Sequence, residues 1–419
     1  MQQSRLIQFV AIFIAGLLVG AGLIYALLGF GGVSTAGKGS RNLPEEIKIG
    51  VLIDLSGPLA STGKRIQYAL KLAEEDINDY AKELGLQVKF TFLIEDTQIN
   101  PERALSRLQS LAAQGVKVVI GPLASSEVKQ VKSFADSNKI IIVSPSSTAP
   151  SLAVPNDYVF RFVPTDIFQG KALAKVILSS GYKKVSVIYR KDTWGEGLLN
   201  AFKKSFEELG GQVVGIVGYD PNAKDLSAEV LRLADYVKNS GSRTAVLLIS
   251  FDDDGVMVLN SAKNDETLSN CEWFGTDGTA FMDKIASQVG EAVAQMGGLK
   301  STLFAPMQSA KWKEFKERFS AKFGMSPEAY SLNSYDVAWV IALAIIEVGQ
   351  YDGEKIAKIL PKVASNYFGV TGWTKLDENG DRAGGDYGIA AIQIVDNKPT
   401  WVNVGVYSFT SDSVTWFKG

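Results

Sequence analysis

Three turns in this chain set small hydroxyl residues directly after an apolar run. They are Ile49-Gly50-Val51-Leu52-Ile53-Asp54-Leu55-Ser56-Gly57-Pro58-Leu59-Ala60-Ser61-Thr62-Gly63, Val119-Ile120-Gly121-Pro122-Leu123-Ala124-Ser125-Ser126 and Ile142-Val143-Ser144-Pro145-Ser146-Ser147-Thr148-Ala149-Pro150. Hydroxyls and free backbone N–H groups past the end of a strand are hydrogen-bond donors, and where such a turn opens a helix the dipole favours an anion. The C-terminal edge of an open α/β sheet is also where ligands bind. The chemistry indicated is the gripping of a small anionic group. Absences narrow it further. The 419 residues include no histidine, which removes Ser-His-Asp and Cys-His triads, His-based zinc sites and His general bases. One cysteine, Cys271, supports neither an intrachain disulfide nor a Cys-rich metal cluster. No metal or cofactor is expected.

The elements that must hold these turns follow from hydropathy. Apolar content of 46% and charged content of 21% are those of a folded globular chain, and a net charge of −2 gives no reason to expect nucleic acid. The length calls for at least two lobes. Residues 6–30 form an apolar run in which Gln8 is the only strongly polar side chain, enough to cross a bilayer about 30 Å thick at about 1.5 Å per residue. It reads as an uncleaved anchor, with cleavage after Ser34-Thr35-Ala36 as the alternative. No cysteine follows the run, so a bacterial-type lipid anchor is excluded. Gly16 and Gly20 make a GxxxG pair, a motif also found where membrane helices dimerise. Residues 31–46 read as a flexible tether. Beyond it strands at 47–53, 88–94, 116–120 and 140–143 alternate with helices at 64–84, 101–113 and 125–137, the pattern of a doubly wound parallel sheet. A second α/β series begins near residue 166, with strands at 184–189, 212–217, 245–250 and 272–274. Helices at 311–323, 334–348 and 353–363 precede late strands at 372–376, 388–395 and 400–407.

Over 47–410 the chain resembles the type I periplasmic binding proteins, and more narrowly the branched-chain amino-acid-binding subunits of ABC importers. The three turns carry the likeness together with Asp192-Thr193-Trp194-Gly195-Glu196-Gly197 and Gly372-Trp373-Thr374-Lys375-Leu376-Asp377-Glu378-Asn379-Gly380-Asp381. The resemblance implies two doubly wound lobes joined by a multi-strand hinge: 47–165 with about 304–365, and 166–303 with about 366–410. It implies that Ser125 and Thr148 donate to a ligand carboxylate, with backbone groups around Ser146 and Thr148 also in contact. It matches Asp277 to the acid that pairs with the ligand α-ammonium, Trp194 to an aromatic that covers the ligand, and Phe251 to a further pocket aromatic. Each also has a plain structural role available: Ser125 and Thr148 as helix caps, Asp277 as a turn former.

Two departures concern the ligand side chain. Thr62 stands where leucine-type binders often carry an aromatic. Asp252, Asp253 and Asp254 read as a solvated first helical turn, favoured by the helix dipole; selection of a cationic or polar ligand, or a bound cation, is the alternative. Gly57 to Arg65 is not a P-loop, since five residues separate its glycines and Arg65 follows Lys64 where Ser or Thr is needed. The chain also lacks a G-x-S-x-G elbow and a G-x-G-x-x-G fingerprint. The reading is a binding protein and not an enzyme. It would be tethered to the cell membrane with its body on the extracytoplasmic side, handing an amino acid to ABC permease subunits. The alternative is an amino-acid or amide sensor with the same fold.

Overall fold

A computed structural model describes residues 42–241 and 243–417. The expected membrane span at 6–30 and most of the tether lie outside those residues. Among the described residues the chain builds two main sheets. The first runs β2-β1-β3-β4-β5, with β1 Glu46–Ile53, β2 Lys89–Asp96, β3 Val118–Ile120, β4 Ile141–Ser144 and β5 Val159–Arg161. All of its pairings are parallel. Every residue of β3 and β4 is buried, as expected of parallel strands covered on both faces.

The second sheet runs β15-β14-β13-β10-β9-β8-β6-β7. Its strands β6 Lys184–Arg190, β7 Gln212–Tyr219, β8 Ala245–Ile249, β9 Trp273–Gly275 and β10 Lys300–Ala305 are parallel to one another. A short separate pair is formed by β11 Phe368–Gly369 and β12 Gly372–Trp373, and strands β13 Asp386–Val395, β14 Lys398–Ser408 and β15 Ser413–Trp416 add to the second sheet antiparallel. The sheet is therefore mixed where a parallel one was expected. Part of the reason is local: Asp396 and Asn397 both have positive φ (49° and 59°), a two-residue turn that folds β14 directly back on β13; β13 itself joins β10 antiparallel after the chain's last passage between the sheets. Strand β10 and the helix Asp166–Ser179 are further elements not anticipated from hydropathy.

Helix starts are set by identifiable side chains. Asn100 Oδ1 accepts the Arg103 N–H at 2.8 Å, with Pro101 in the first turn of Pro101–Ala113. Asp192 Oδ1 accepts the N–H groups of Trp194 and Gly195 at 3.1 and 2.8 Å, starting Thr193–Glu208. Glu328 does the same for Tyr330 and Ser331 at 2.6 and 2.8 Å, starting Ala329–Val348. That last helix is apolar enough to cross a membrane, but 78% of its most apolar window is buried within the body, where it packs on Ala60–Glu83. Gly63 shows how tightly the first turn is wound: a Cβ there would lie 1.6 Å from the Asp54 carbonyl oxygen, so only glycine fits.

The chain passes between the two sheets three times, at 162–165, 306–309 and 374–385. The first and third passages run side by side, bridged in parallel at Arg161 and Asp381. The C-terminal ends of β1, β3 and β4 on one sheet, and of β6, β8 and β9 on the other, lead into turns that border one cleft.

Candidate functional site

Turns from both sheets line one cleft. Its first wall comes from the three hydroxyl-bearing turns and includes Leu59, Thr62, Leu123, Ala124, Ser125 and Ser146. Asp54, fully buried, holds the first turn by accepting the N–H groups of Gly57 and Leu59 at 2.7 and 2.5 Å. Burial pushes its carboxyl up to about 6. The second and third turns are stitched together: Ser146 Oγ donates to the Leu123 carbonyl at 3.0 Å, and Ser144 Oγ to that of Pro122 at 2.7 Å. Ser125 Oγ accepts the Ala149 N–H at 3.2 Å and lies 2.9 Å from Ser147 Oγ. With Ser147 donating, Ser125 keeps its own proton for a ligand. Ala124 precedes the helix Ser125–Asn138 and supplies no side-chain cap; the Glu127 carboxyl group accepts the Ala124 N–H at 3.2 Å and the Glu127 N–H donates to the Ala124 carbonyl at 3.1 Å, so the Ser125 and Ser126 amides are the helical N–H groups left for another acceptor. Carboxylate binding fits this wall.

The opposite wall has the reverse character. Trp194, Phe251, Asp277, Gly278 and Met282 line it. Trp194 and Phe251 stack at 4.9 Å with an interplanar angle of 18°. The Arg190 guanidinium lies 3.8 Å from the Phe251 centroid. Arg190 is fixed by Asp192 at 2.6 Å and Asp254 at 3.0 Å, and Tyr219 also donates to Asp254. Asp254 is thus an internal anchor, 3% exposed. Asp252, 1% exposed, accepts the N–H groups of Lys284 and Ile285 at 3.3 and 3.0 Å. The expected solvated acidic turn is therefore largely buried. The dipole argument sees only its own helix, and these partners come from β6, β7 and the turn at 284–285.

Asp277 is 5% exposed. Its Oδ2 accepts the Tyr330 hydroxyl at 2.5 Å, while Oδ1 has no hydrogen-bond partner. Burial raises its pKa to about 6, against the lowering effect of the Tyr330 bond. Asp166 is wholly buried, and neither of its oxygens has a partner. Its pKa is raised well above the usual carboxylate range, first by burial and then by the charge of Asp277. Thr148, 2% exposed, is not on the cleft surface; its hydroxyl faces Asp166 at a geometry short of a hydrogen bond.

Five of the six residues singled out from sequence thus border one cleft, and Thr148 stands behind it. Tyr330 and Asp166 were missed. Tyr330 opens an otherwise apolar helix, and Asp166 reads as an ordinary acidic first turn; its one signal is its place just after Val163-Pro164-Thr165. The indole N–H of Trp194 and the hydroxyls of Ser250 and Thr276 are also buried without partners. Buried polar atoms are normally satisfied, so the unpartnered Asp277 Oδ1 and Trp194 indole N–H, both from lining residues, leave the cleft open to completion by a polar molecule. Among the described residues no cluster of acidic, His or Cys side chains could hold a metal ion. The walls together offer donors to an anionic group on one side, an acceptor for a cationic group on the other, and apolar surface beside both.

Residues 65–394 match the family model described as the receptor family ligand binding region. The chain is 37% identical over 401 residues to an uncharacterized protein of Methanocaldococcus jannaschii, covering 91% of this chain and 94% of that one. It is 27% identical over 361 residues to the leucine-, isoleucine-, valine-, threonine- and alanine-binding protein of Pseudomonas aeruginosa, covering 85% and 93%. Among solved structures, the leucine-binding protein LivK of Thermotoga maritima superposes with a TM-score of 0.75 at 24% identity, over 87% of this chain and 99% of that one.

Proposed function

The chain belongs to the receptor ligand-binding-region family, as a type I periplasmic binding protein of the branched-chain amino-acid group, and from that premise we propose that it captures a free amino acid. The observation that carries this reading is the facing of two opposite chemistries across one cleft. A helix start at Ser125 without a side-chain cap shares the cleft lining with Asp277, a buried carboxyl group with one oxygen lacking a partner. Burying either end of a zwitterion unpaired is costly, and this arrangement answers both ends. The apolar lining from Leu59, Leu123, Met282, Trp194 and Phe251 favours an aliphatic side chain. The ligand is held and not altered.

In this reading two lobes close about the three passages between the sheets. They comprise 47–165 with about 304–365, and 166–303 with about 366–410. Residues 6–30 anchor the protein in the membrane with the body outside the cytoplasm, where it delivers ligand to ABC permease subunits. A thermal-shift screen of amino acids, amides and small carboxylates on the full chain in detergent tests the ligand class. Stabilisation by L-leucine or its neighbours supports the reading; stabilisation by carboxylates alone contradicts it. Retention through a carbonate wash supports the anchor, whereas a soluble form starting near residue 37 would mean cleavage. The match to a receptor ligand-binding model keeps a second reading in view, a sensor reporting amino-acid levels. Ligand-stimulated uptake on reconstitution with the permease separates the two.

A further inference from the structure

Arg161 ends β5 and is fully buried. Its guanidinium faces two ways. Nε and Nη2 donate to the two carboxylate oxygens of Asp381 at 2.6 and 2.5 Å. Nη1 donates to the Ala149 carbonyl at 2.7 Å and approaches that of Ser147 at 3.4 Å. Those carbonyls flank Thr148, in the turn that carries Ser146 to the cleft. Asp381 belongs to the third passage between the sheets. The backbone repeats the connection, since Arg161 N–H donates to the Gly380 carbonyl at 2.9 Å and Arg382 N–H to that of Arg161 at 2.8 Å. On its other side the same turn is tied to the first passage, where Asp166 N–H donates to the Thr148 carbonyl at 2.9 Å.

A buried ion pair is poor evidence of stability, because apolar side chains of similar volume often do as well. What the guanidinium offers instead is a rigid planar fork that fixes several acceptors relative to one another. We propose that Arg161 is a positioning residue that couples occupancy of the cleft to movement of the passages between the sheets. The Ser147 and Ala149 carbonyls and the Asp381 carboxylate are held on one fork. A ligand that settles the turn must therefore carry the third passage with it or break a buried pair. The coupling rests on the cleft being the amino-acid site.

The test uses the full chain with L-leucine as probe, amide hydrogen exchange as readout, and calorimetry to establish binding. In the parent, saturating L-leucine should slow exchange at the Ala149, Arg161 and Arg382 amides together, by about tenfold or more. Unchanged exchange at Arg382 with confirmed binding overturns the proposal, and needs no variant. Arg161→Met combined with Asp381→Leu removes the pair without leaving a lone buried charge. It should still melt cooperatively and still bind, but with slowing at Arg382 reduced below about twofold. Arg161→Lys keeps the charge and loses the fork, so it should also lose the linked protection. If Arg161→Lys or the double variant protects Arg382 as the parent does, Arg161 is only structural. Failure of L-leucine and every other amino acid to bind the parent would strike the cleft reading itself, and the coupling with it.

Discussion

The two walls of the cleft solve opposite electrostatic problems with opposite materials. The wall from the first sheet has no formal charge directed at the cleft and works through hydroxyls and backbone N–H groups at the ends of β3 and β4. Dipoles of this kind cost little to bury because turns and neighbouring hydroxyls keep them partly satisfied. The wall from the second sheet uses an ionisable group, Asp277, held out of water with one oxygen lacking a hydrogen-bond partner. On the proposed amino-acid reading, the anionic end of the ligand would meet a site nearly complete without it, and the cationic end would supply the partner that Asp277 lacks. Discrimination should therefore reside mainly in the second wall.

Removing the charge on that wall should do the most damage. Asp277→Ala should weaken L-leucine binding by about 2–5 kcal/mol, roughly 30- to 4,000-fold, measured by calorimetry. Asp277 lies on the second-sheet side, so its loss should also shrink the ligand-induced decrease in radius of gyration seen by small-angle scattering. On the first wall, Ser125→Ala removes one hydrogen bond to a charged group, costing about 1.5–3 kcal/mol. An effect of Ser125→Ala larger than that of Asp277→Ala would reverse the comparison.

Proton linkage sharpens it further. Asp277 must be ionised to pair with an ammonium, and burial lifts its pKa to about 6. L-leucine affinity should then be about tenfold weaker at pH 5 than at pH 7, and level above that. The ligand-free fold shows the converse. Because the folded-state pKa lies above the unfolded one, the native carboxyl holds a proton that the unfolded chain has already released. Thermal stability should therefore fall as pH rises from about 4 to about 6, and added amino acid should restore it. The smallest effect is expected for Tyr330→Phe. Its hydroxyl donates to Asp277 and lowers that pKa, so its removal should shift the binding midpoint to higher pH by less than about one unit.

How much of this was legible beforehand depends on how local each signal is. Strands β1, β3 and β4 with their turns could be read directly, because apolar runs closed by Gly, Pro and Ser are self-contained signals. Trp194 was legible for the same reason, with Asp192 capping its helix. Asp166 was not, since an acid in a first helical turn has an adequate local explanation, and only the fold brings it to Asp277. The turn at Asp252–Asp254 misled in the same way: nothing nearby in the chain announces Arg190 or the backbone at Ile285. The β13–β14 hairpin depends on the Asp396-Asn397 turn, and the antiparallel pairing of β13 with β10 joins strands far apart in the chain; the apolar runs reveal neither.

The most direct test of the two-wall account compares L-leucine with 4-methylpentanoate, the same molecule without its amino group, on the parent, Asp277→Ala and Ser125→Ala by calorimetry. The account predicts that Ser125→Ala weakens both ligands to a similar degree, whereas Asp277→Ala weakens L-leucine alone. Equal losses for both ligands on Asp277→Ala, or an L-leucine affinity that this substitution leaves unchanged, would contradict it.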